Sequence, residues 1–130
     1  MMWAGWPVER IVYLFLGLLF LGLFVQVTLF HWRQNFRHWS MWIPVLATPI
    51  LALVCLGLVT VNSGFLRGAL ALLSVFGTAF GLVGGYYHAE GVGERVDGFT
   101  LSNVMVGPPL VLPLMITILS LFALITVLLG

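Results

Sequence analysis

Three histidines are the residues of this 130-residue chain best suited to binding chemistry. They are His31, His38 and His88, and each lies at or just beyond the end of a long apolar run. Imidazole nitrogens ligate haem iron, and a histidine combined with Glu or Asp ligates divalent metals. An imidazole between aromatic side chains can also donate a hydrogen bond to a quinone. The histidines therefore predict a haem, quinone or metal site, with haem and quinone as the candidate cofactors.

The spacing of the histidines leaves a second interpretation open. If the helix that contains His31 continued for two more turns, His38 would lie on the same helix face. A histidine at a helix C-terminus, however, interacts favourably with the helix dipole without any ligand. The chain contains no CxxCH or HExxH motif that would select haem or zinc.

Cations alternate with aromatic residues between His31 and Trp39. This tract is typical of a membrane-interface belt, but Trp and Arg are also frequent in partner-binding surfaces, and its aromatic rings could wall a quinone site. A second polar stretch contains acidic residues that we expect to pair with the arginines. The candidate residues for docking a partner or lipid are Trp32, Arg33, Arg37, Trp39, Glu90, Glu94, Arg95 and Asp97.

The elements that position these residues follow from the composition. Hydrophobic residues make up 62% of the chain and charged residues only 7%, with a mean hydropathy of +1.16. Such a chain cannot cover a soluble fold with charge, and its net charge of +1 is too small for a nucleic-acid interface. We therefore expect an integral membrane protein with an all-α, four-helix transmembrane bundle as one domain. The spans are predicted at about 11–30, 42–61, 65–87 and 109–129, and the loops at 31–41, 62–64 and 88–108.

All nine charges lie near the ends of these spans. An even number of spans places both termini on one side of the membrane. Face A, on that side, contains Glu9, Arg10 and Arg67, and face B contains the other six charges with all three histidines. Because charges in the middle of a span mark ion and proton paths, their absence argues against transport through a single chain. An oligomeric small transporter or channel is the weaker alternative.

Gly77, Gly81 and Gly85 recur every four residues in the third span. This small-xxx-small pattern forms a smooth stripe against which another helix packs closely. The partner helix is predicted to be span one, through Gly17 or Gly22, or a helix of another subunit. We expect spans two and three to form an antiparallel hairpin around the Asn62–Gly64 turn.

Two functional hypotheses follow from these patterns. The first is an accessory, anchor or structural subunit of a larger membrane complex in a bacterial plasma membrane, in contact with lipid and other subunits. The second is a redox-complex anchor that binds haem or quinone through His31, His38 or His88. Because the sequence contains no nucleophile with a neighbouring base, we expect no catalytic activity of its own.

Overall fold

The computed structural model describes residues 1–95 and 110–130, with side chains for residues 1–91 and 110–130. The helices in these residues are α1 (Val8–Arg33), α2 (Trp42–Thr60), α3 (Gly64–Arg95) and α4 (Val111–Leu129), and a 3-10 turn at Trp39–Met41 precedes α2. Each helix is long and apolar enough to cross a membrane. The predicted all-α, four-helix membrane fold is therefore confirmed for the described part of the chain.

The helices pack in a ring in which α1 and α3 each contact both α2 and α4. The start of α3 meets the start of α1 through Arg67 and Glu9, and Gly130, after the end of α4, lies against Glu9. The closest pairs are α1 with α2 and α3 with α4. The short turn keeps α2 and α3 adjacent, as expected for a hairpin. Each of them nevertheless packs more closely against its other neighbour, α2 against α1 and α3 against α4.

Large side chains fill the centre of the bundle. Tyr13, Phe20, Leu51, Leu58 and Leu70 are all less than 2% exposed. Only 22–33% of the most apolar stretch of each helix is buried within the bundle. The remaining apolar surface faces outward, as expected for helices whose surroundings are lipid.

The α3 glycines contact α4 rather than α1. A Cβ at Gly81 would lie 2.7 Å from the Pro113 carbonyl oxygen, and Gly77 lies against Ser120. Gly85 is less crowded, because its nearest neighbour, a Leu114 methyl, would be 3.5 Å from an added Cβ. The partner of the stripe is thus span four of the same chain, whereas the prediction named span one or another subunit. Gly17 instead packs against Leu56 of α2.

Two helix boundaries differ from the predicted ones. α1 ends at Arg33, so His31 and His38 do not share a helix. α3 continues to Arg95, so residues 88–95, which were predicted to begin a loop, are helical. The segment 88–95 contains no proline, and its Ala, Glu and Arg residues favour helix strongly enough to accommodate two glycines.

Candidate functional site, a histidine-lined cavity

A cavity of about 680 Å³ lies at the end of the bundle where α1 ends and α4 begins. Its polar lining residues are His31, Gln34, Arg37, His38, Ser40, His88 and Glu90. Its apolar lining includes Val27, Ile43, Ala47, Phe80, Tyr87, Leu112 and Ile116. All three histidines, placed on face B by their position in the sequence, therefore border one space. Its volume falls within the range of about 300–1,000 Å³ typical of small-molecule sites.

His31 is the buried polar residue of this cavity. It lies in the last turn of α1 and is 8% exposed. Its Nδ1 atom has no hydrogen-bond partner among the described residues. The ring lies close enough to His88 to interact with it electrostatically. A buried nitrogen without a partner is destabilising, so the hydrogen bonding of the His31 ring is incomplete among the described residues.

A tight turn after α1 completes the wall next to His31. Asn35 and Phe36 have φ values of 58° and 45°, and the Phe36 amide donates to the His31 carbonyl at 3.0 Å. Asn accepts this left-handed conformation more readily than Phe does. The Phe36 ring is stacked on Trp42, with a centroid distance of 4.2 Å, and is 6.4 Å from the His31 ring. These contacts hold a strained residue in place between Gln34 and Arg37, which both line the cavity.

The same turn brings His38 to the cavity. Its Nδ1 accepts a hydrogen bond from the Ser40 amide at 3.2 Å and lies 2.6 Å from the Ser40 hydroxyl. A nitrogen that accepts from an amide carries no proton, so the neutral ring is protonated at Nε2. His38 therefore presents Nε2–H as a hydrogen-bond donor. The Trp39 ring stacks on it at 5.9 Å.

Charged and amide side chains complete the polar lining. Arg37 is exposed and donates to the Gln34 side-chain oxygen at 3.3 Å. Glu90 lies on α3 and is also exposed. Among the described side chains, the ion pair is Arg67 with Glu9, and Glu90 forms none with Arg33 or Arg37. One cause is that Glu90 belongs to a continuous helix and not to a loop that could fold over the arginines. The expected pairing of Glu90, Glu94 or Asp97 with Arg33, Arg37 or Arg95 stays a prediction.

The other predicted docking residues lie outside the cavity or outside the described side chains. Trp32 and Trp39 are 65% and 73% exposed, and Arg33 is exposed beside Trp32. The backbones of Glu94 and Arg95 belong to α3, whereas Asp97 lies outside the described residues. The exposed aromatic and cationic side chains form a surface next to the cavity, and we call Trp32, Arg33 and Trp39 the tryptophan surface.

The face A end of the bundle contains a polar cluster that sequence patterns did not predict as a unit. Tyr13, fully buried, donates to Glu9 at 2.7 Å, and Glu9 pairs with Arg67. Arg67 also donates to the Asn62 side-chain oxygen at 2.7 Å and lies over the Trp3 ring at 5.6 Å. The only sequence signal was the assignment of Glu9 and Arg67 to the same face. We call these five residues the face A cluster.

The histidine-lined cavity combines donors near its mouth with an apolar interior. This arrangement suits a flat or compact headgroup that accepts hydrogen bonds and carries apolar substituents. The described residues contain no group of three or more His, Cys, Asp or Glu side chains placed to share a metal ion.

The fold and the cavity together define a multi-pass membrane protein of the four-helix-bundle class. No protein-family model, curated protein sequence or solved structure matches the chain.

Proposed function

We propose that this protein is a small four-span membrane subunit that binds a quinone headgroup in the histidine-lined cavity. The observation that carries the proposal is the convergence of His31, His38 and His88 on one space, with the Nδ1 of His31 buried and unpartnered. Four apolar helices with both termini on one side of a bacterial plasma membrane provide the anchor. The protein would hold the quinone for a larger redox complex and have no catalytic activity of its own.

The chemistry of a quinone agrees with this lining. A quinone has two carbonyl oxygens that accept hydrogen bonds and a ring that packs against apolar and aromatic surfaces. His38 offers Nε2–H, and His31 offers a ring whose hydrogen bonding is incomplete. Tyr87 and Phe80 form an aromatic part of the cavity wall. One carbonyl can therefore approach the histidines while the ring contacts the apolar interior.

The test is quinone binding by the full chain in detergent micelles or nanodiscs. We expect a quinone with a short alkyl tail to bind, and His31→Leu to weaken binding about tenfold, because a ligand carbonyl left unpaired in the cavity costs about 1–3 kcal/mol. Gln26→Leu is the matched control, since Gln26 lies on the same helix, is exposed and does not line the cavity. Equal affinity of the His31→Leu variant and the unmodified chain would contradict the proposal.

An absorption spectrum of the same preparation tests haem as the ligand. A Soret band that is lost in His31→Leu or His88→Leu would replace quinone with haem. We expect a colourless protein, and organic extraction followed by mass spectrometry should then recover a quinone from the membrane-purified chain. Recovery of phospholipid alone would count against the proposal.

The tryptophan surface favours a second candidate function, that of an accessory subunit whose main role is to contact another membrane protein. Large exposed aromatic and arginine side chains are typical of binding hot spots, and Trp32 and Trp39 are both more than half exposed at this end. Affinity purification in mild detergent should recover a defined partner, and Trp32→Ala with Trp39→Ala should reduce that recovery. Recovery of the unmodified chain as a monomer alone would contradict this candidate.

A further inference from the structure

A second cavity, smaller and entirely apolar, lies on the outer surface between α2 and α3. It has a volume of about 290 Å³, and its outer walls are formed by Leu46 and Ile50 of α2 and by Phe76 of α3. Leu46 is 58% exposed and Phe76 is 49% exposed. Because these side chains face outward from an apolar helix bundle, the cavity is a groove open to the lipid. We call it the α2–α3 groove.

The α2–α3 groove adjoins the histidine-lined cavity. Ile43 and Ala47 of α2, with Gly77 and Phe80 of α3, border both spaces. We call these four residues the shared wall, and their side chains are small or apolar. The α2–α3 contact is also looser than the α1–α2 and α3–α4 contacts. The boundary between the polar cavity and the lipid-facing groove therefore contains no polar side chain among the residues that line both.

Aromatic side chains lie on the α3 side of this boundary. The Phe76 and Phe80 rings are stacked, with a centroid distance of 6.0 Å, along one side of α3. Phe76 borders the groove, and Phe80 borders both the groove and the histidine-lined cavity. This side is therefore apolar along its length, whereas the histidines, Arg37 and Glu90 line the histidine-lined cavity alone.

We propose that the ligand of the histidine-lined cavity has an alkyl or isoprenoid tail, that this tail passes between α2 and α3 at the shared wall and lies in the α2–α3 groove, and that the ligand is loaded sideways from the bilayer by this route. The inference depends on the proposed function, because it assigns a position to the tail of the same ligand. An apolar tail directed toward the polar mouth would meet charged side chains, whereas the groove offers only apolar contacts. The polar side chains lie in one of the two adjoining cavities and the apolar groove is the other. The headgroup therefore binds at the histidines, and the tail lies in the groove.

Two quinones with the same headgroup, one with a decyl tail and one with a methyl substituent, test the inference. Leu46→Trp adds apolar bulk in the groove, at a residue that does not line the histidine-lined cavity, and Leu53→Trp makes the same change at an exposed α2 position that lines neither cavity. We expect Leu46→Trp to weaken binding of the decyl quinone about tenfold, because excluding about two methylenes from an apolar contact has an effect of that size. Binding of the methyl quinone should change less than twofold, and Leu53→Trp should affect neither.

Photolabelling of the unmodified chain provides a second measurement that does not require a variant to fold. A decyl quinone with a diazirine at the tail end should label peptides from residues 43–50 and 73–80. Labels on α1 and α4, with binding that still depends on His31, would overturn the groove proposal and leave the headgroup site intact. Failure of the unmodified chain to bind either quinone would overturn the proposed function and the groove proposal together. A similar loss of binding of both quinones in Leu46→Trp would also contradict the tail assignment.

Discussion

The two ends of the bundle contain similar kinds of side chain and use them in opposite ways. At face A, Tyr13, Glu9 and Arg67 form hydrogen bonds and an ion pair with one another. At face B, His31 is buried in a cavity wall with an unpartnered nitrogen. Buried polar groups stabilise a fold only when their hydrogen bonds are made. The comparison indicates that the polar side chains of face A stabilise the fold, whereas those of face B leave a buried nitrogen unpaired, as the proposed ligand site requires.

Backbone contacts extend this difference between the ends. At face A, the Trp3 indole donates to the Leu58 carbonyl at 2.6 Å, and Arg10 donates to the Val59 carbonyl at 2.9 Å. These bonds join the N-terminal segment to the C-terminal carbonyls of α2, which a helix leaves unpaired. At face B the chain instead forms a strained turn at Asn35 and Phe36. Strained backbone persists only where surrounding contacts hold it, and it is concentrated at functional sites.

The largest expected effect is the loss of Arg67. Arg67→Met removes the partner of a mostly buried carboxylate and leaves Glu9 with Tyr13 alone, so we expect the free energy of unfolding to fall by about 3 kcal/mol. The measurement is unfolding in mixed micelles followed by circular dichroism. Arg37→Met at face B is the matched control, since Arg37 is exposed, and its effect should stay below about 0.5 kcal/mol. Equal losses of unfolding free energy in the two variants would contradict the view that face A contributes more to stability than face B.

A pair of glycines on α3 tests how tightly each end is packed. A Cβ at Gly81, beside the histidine-lined cavity, would lie 2.7 Å and 2.8 Å from backbone atoms of α4, whereas one at Gly68, near face A, would meet nothing within 4 Å. Gly81→Ala should therefore destabilise the bundle by about 1–3 kcal/mol. Gly68→Ala should be neutral or stabilise it by up to about 1 kcal/mol through helix propensity. Thermal unfolding of the two variants in one detergent provides the comparison.

A reversed outcome for the glycine pair would mean that α3 and α4 are not in close contact near the cavity. The close approach of Gly81 to the α4 backbone would then be wrong. Equal destabilisation by both substitutions would show instead that any added side chain on α3 is unfavourable. Gly81→Ala should also leave the oligomeric state unchanged, because the contacts of Gly81 lie within one chain.

Removal of single polar groups should have effects of opposite sign at the two ends. Tyr13→Phe removes the hydrogen bond to Glu9 and should destabilise the protein by about 1 kcal/mol. His31→Leu removes an unsatisfied buried group and should leave stability unchanged or raise it by about 1 kcal/mol, while weakening quinone binding. Chemical denaturation without added quinone gives both values. A loss of stability in His31→Leu as large as that in Tyr13→Phe would argue that His31 is a structural residue.

The smallest effect on stability is expected at the tryptophan surface. Trp39→Ala removes a side chain that is 73% exposed, so the free energy of unfolding should change by less than about 0.5 kcal/mol. Its effect should be seen in partner recovery or in partitioning to the membrane interface, where tryptophan is preferred. A large loss of stability would show that the stacking of Trp39 on His38 supports the turn at the cavity mouth.

Much of the fold could be predicted because it depends on composition and on local periodicity. Apolar runs of sufficient length predicted four membrane-spanning helices, and the described helices agree with them. Glycines at intervals of four predicted a close helix contact on one side of α3. Their partner could not be predicted, since a smooth stripe accepts any helix of compatible shape. Helix ends were also uncertain, because the segment from His88 to Arg95 contains both helix formers and glycines.

The sequence by itself determined that this is an apolar multi-span chain with its charges near the helix ends and its histidines grouped toward one face. Those properties follow from residue types and from the order of the spans, which any folded arrangement must respect. Only the tertiary structure decided that the three histidines border one cavity, because the turn at Asn35 and Phe36 brings His38 back toward His31 and the packing of α3 adds His88. The pairing of Arg67 with Glu9 and the groove between α2 and α3 likewise depend on contacts between residues distant in sequence.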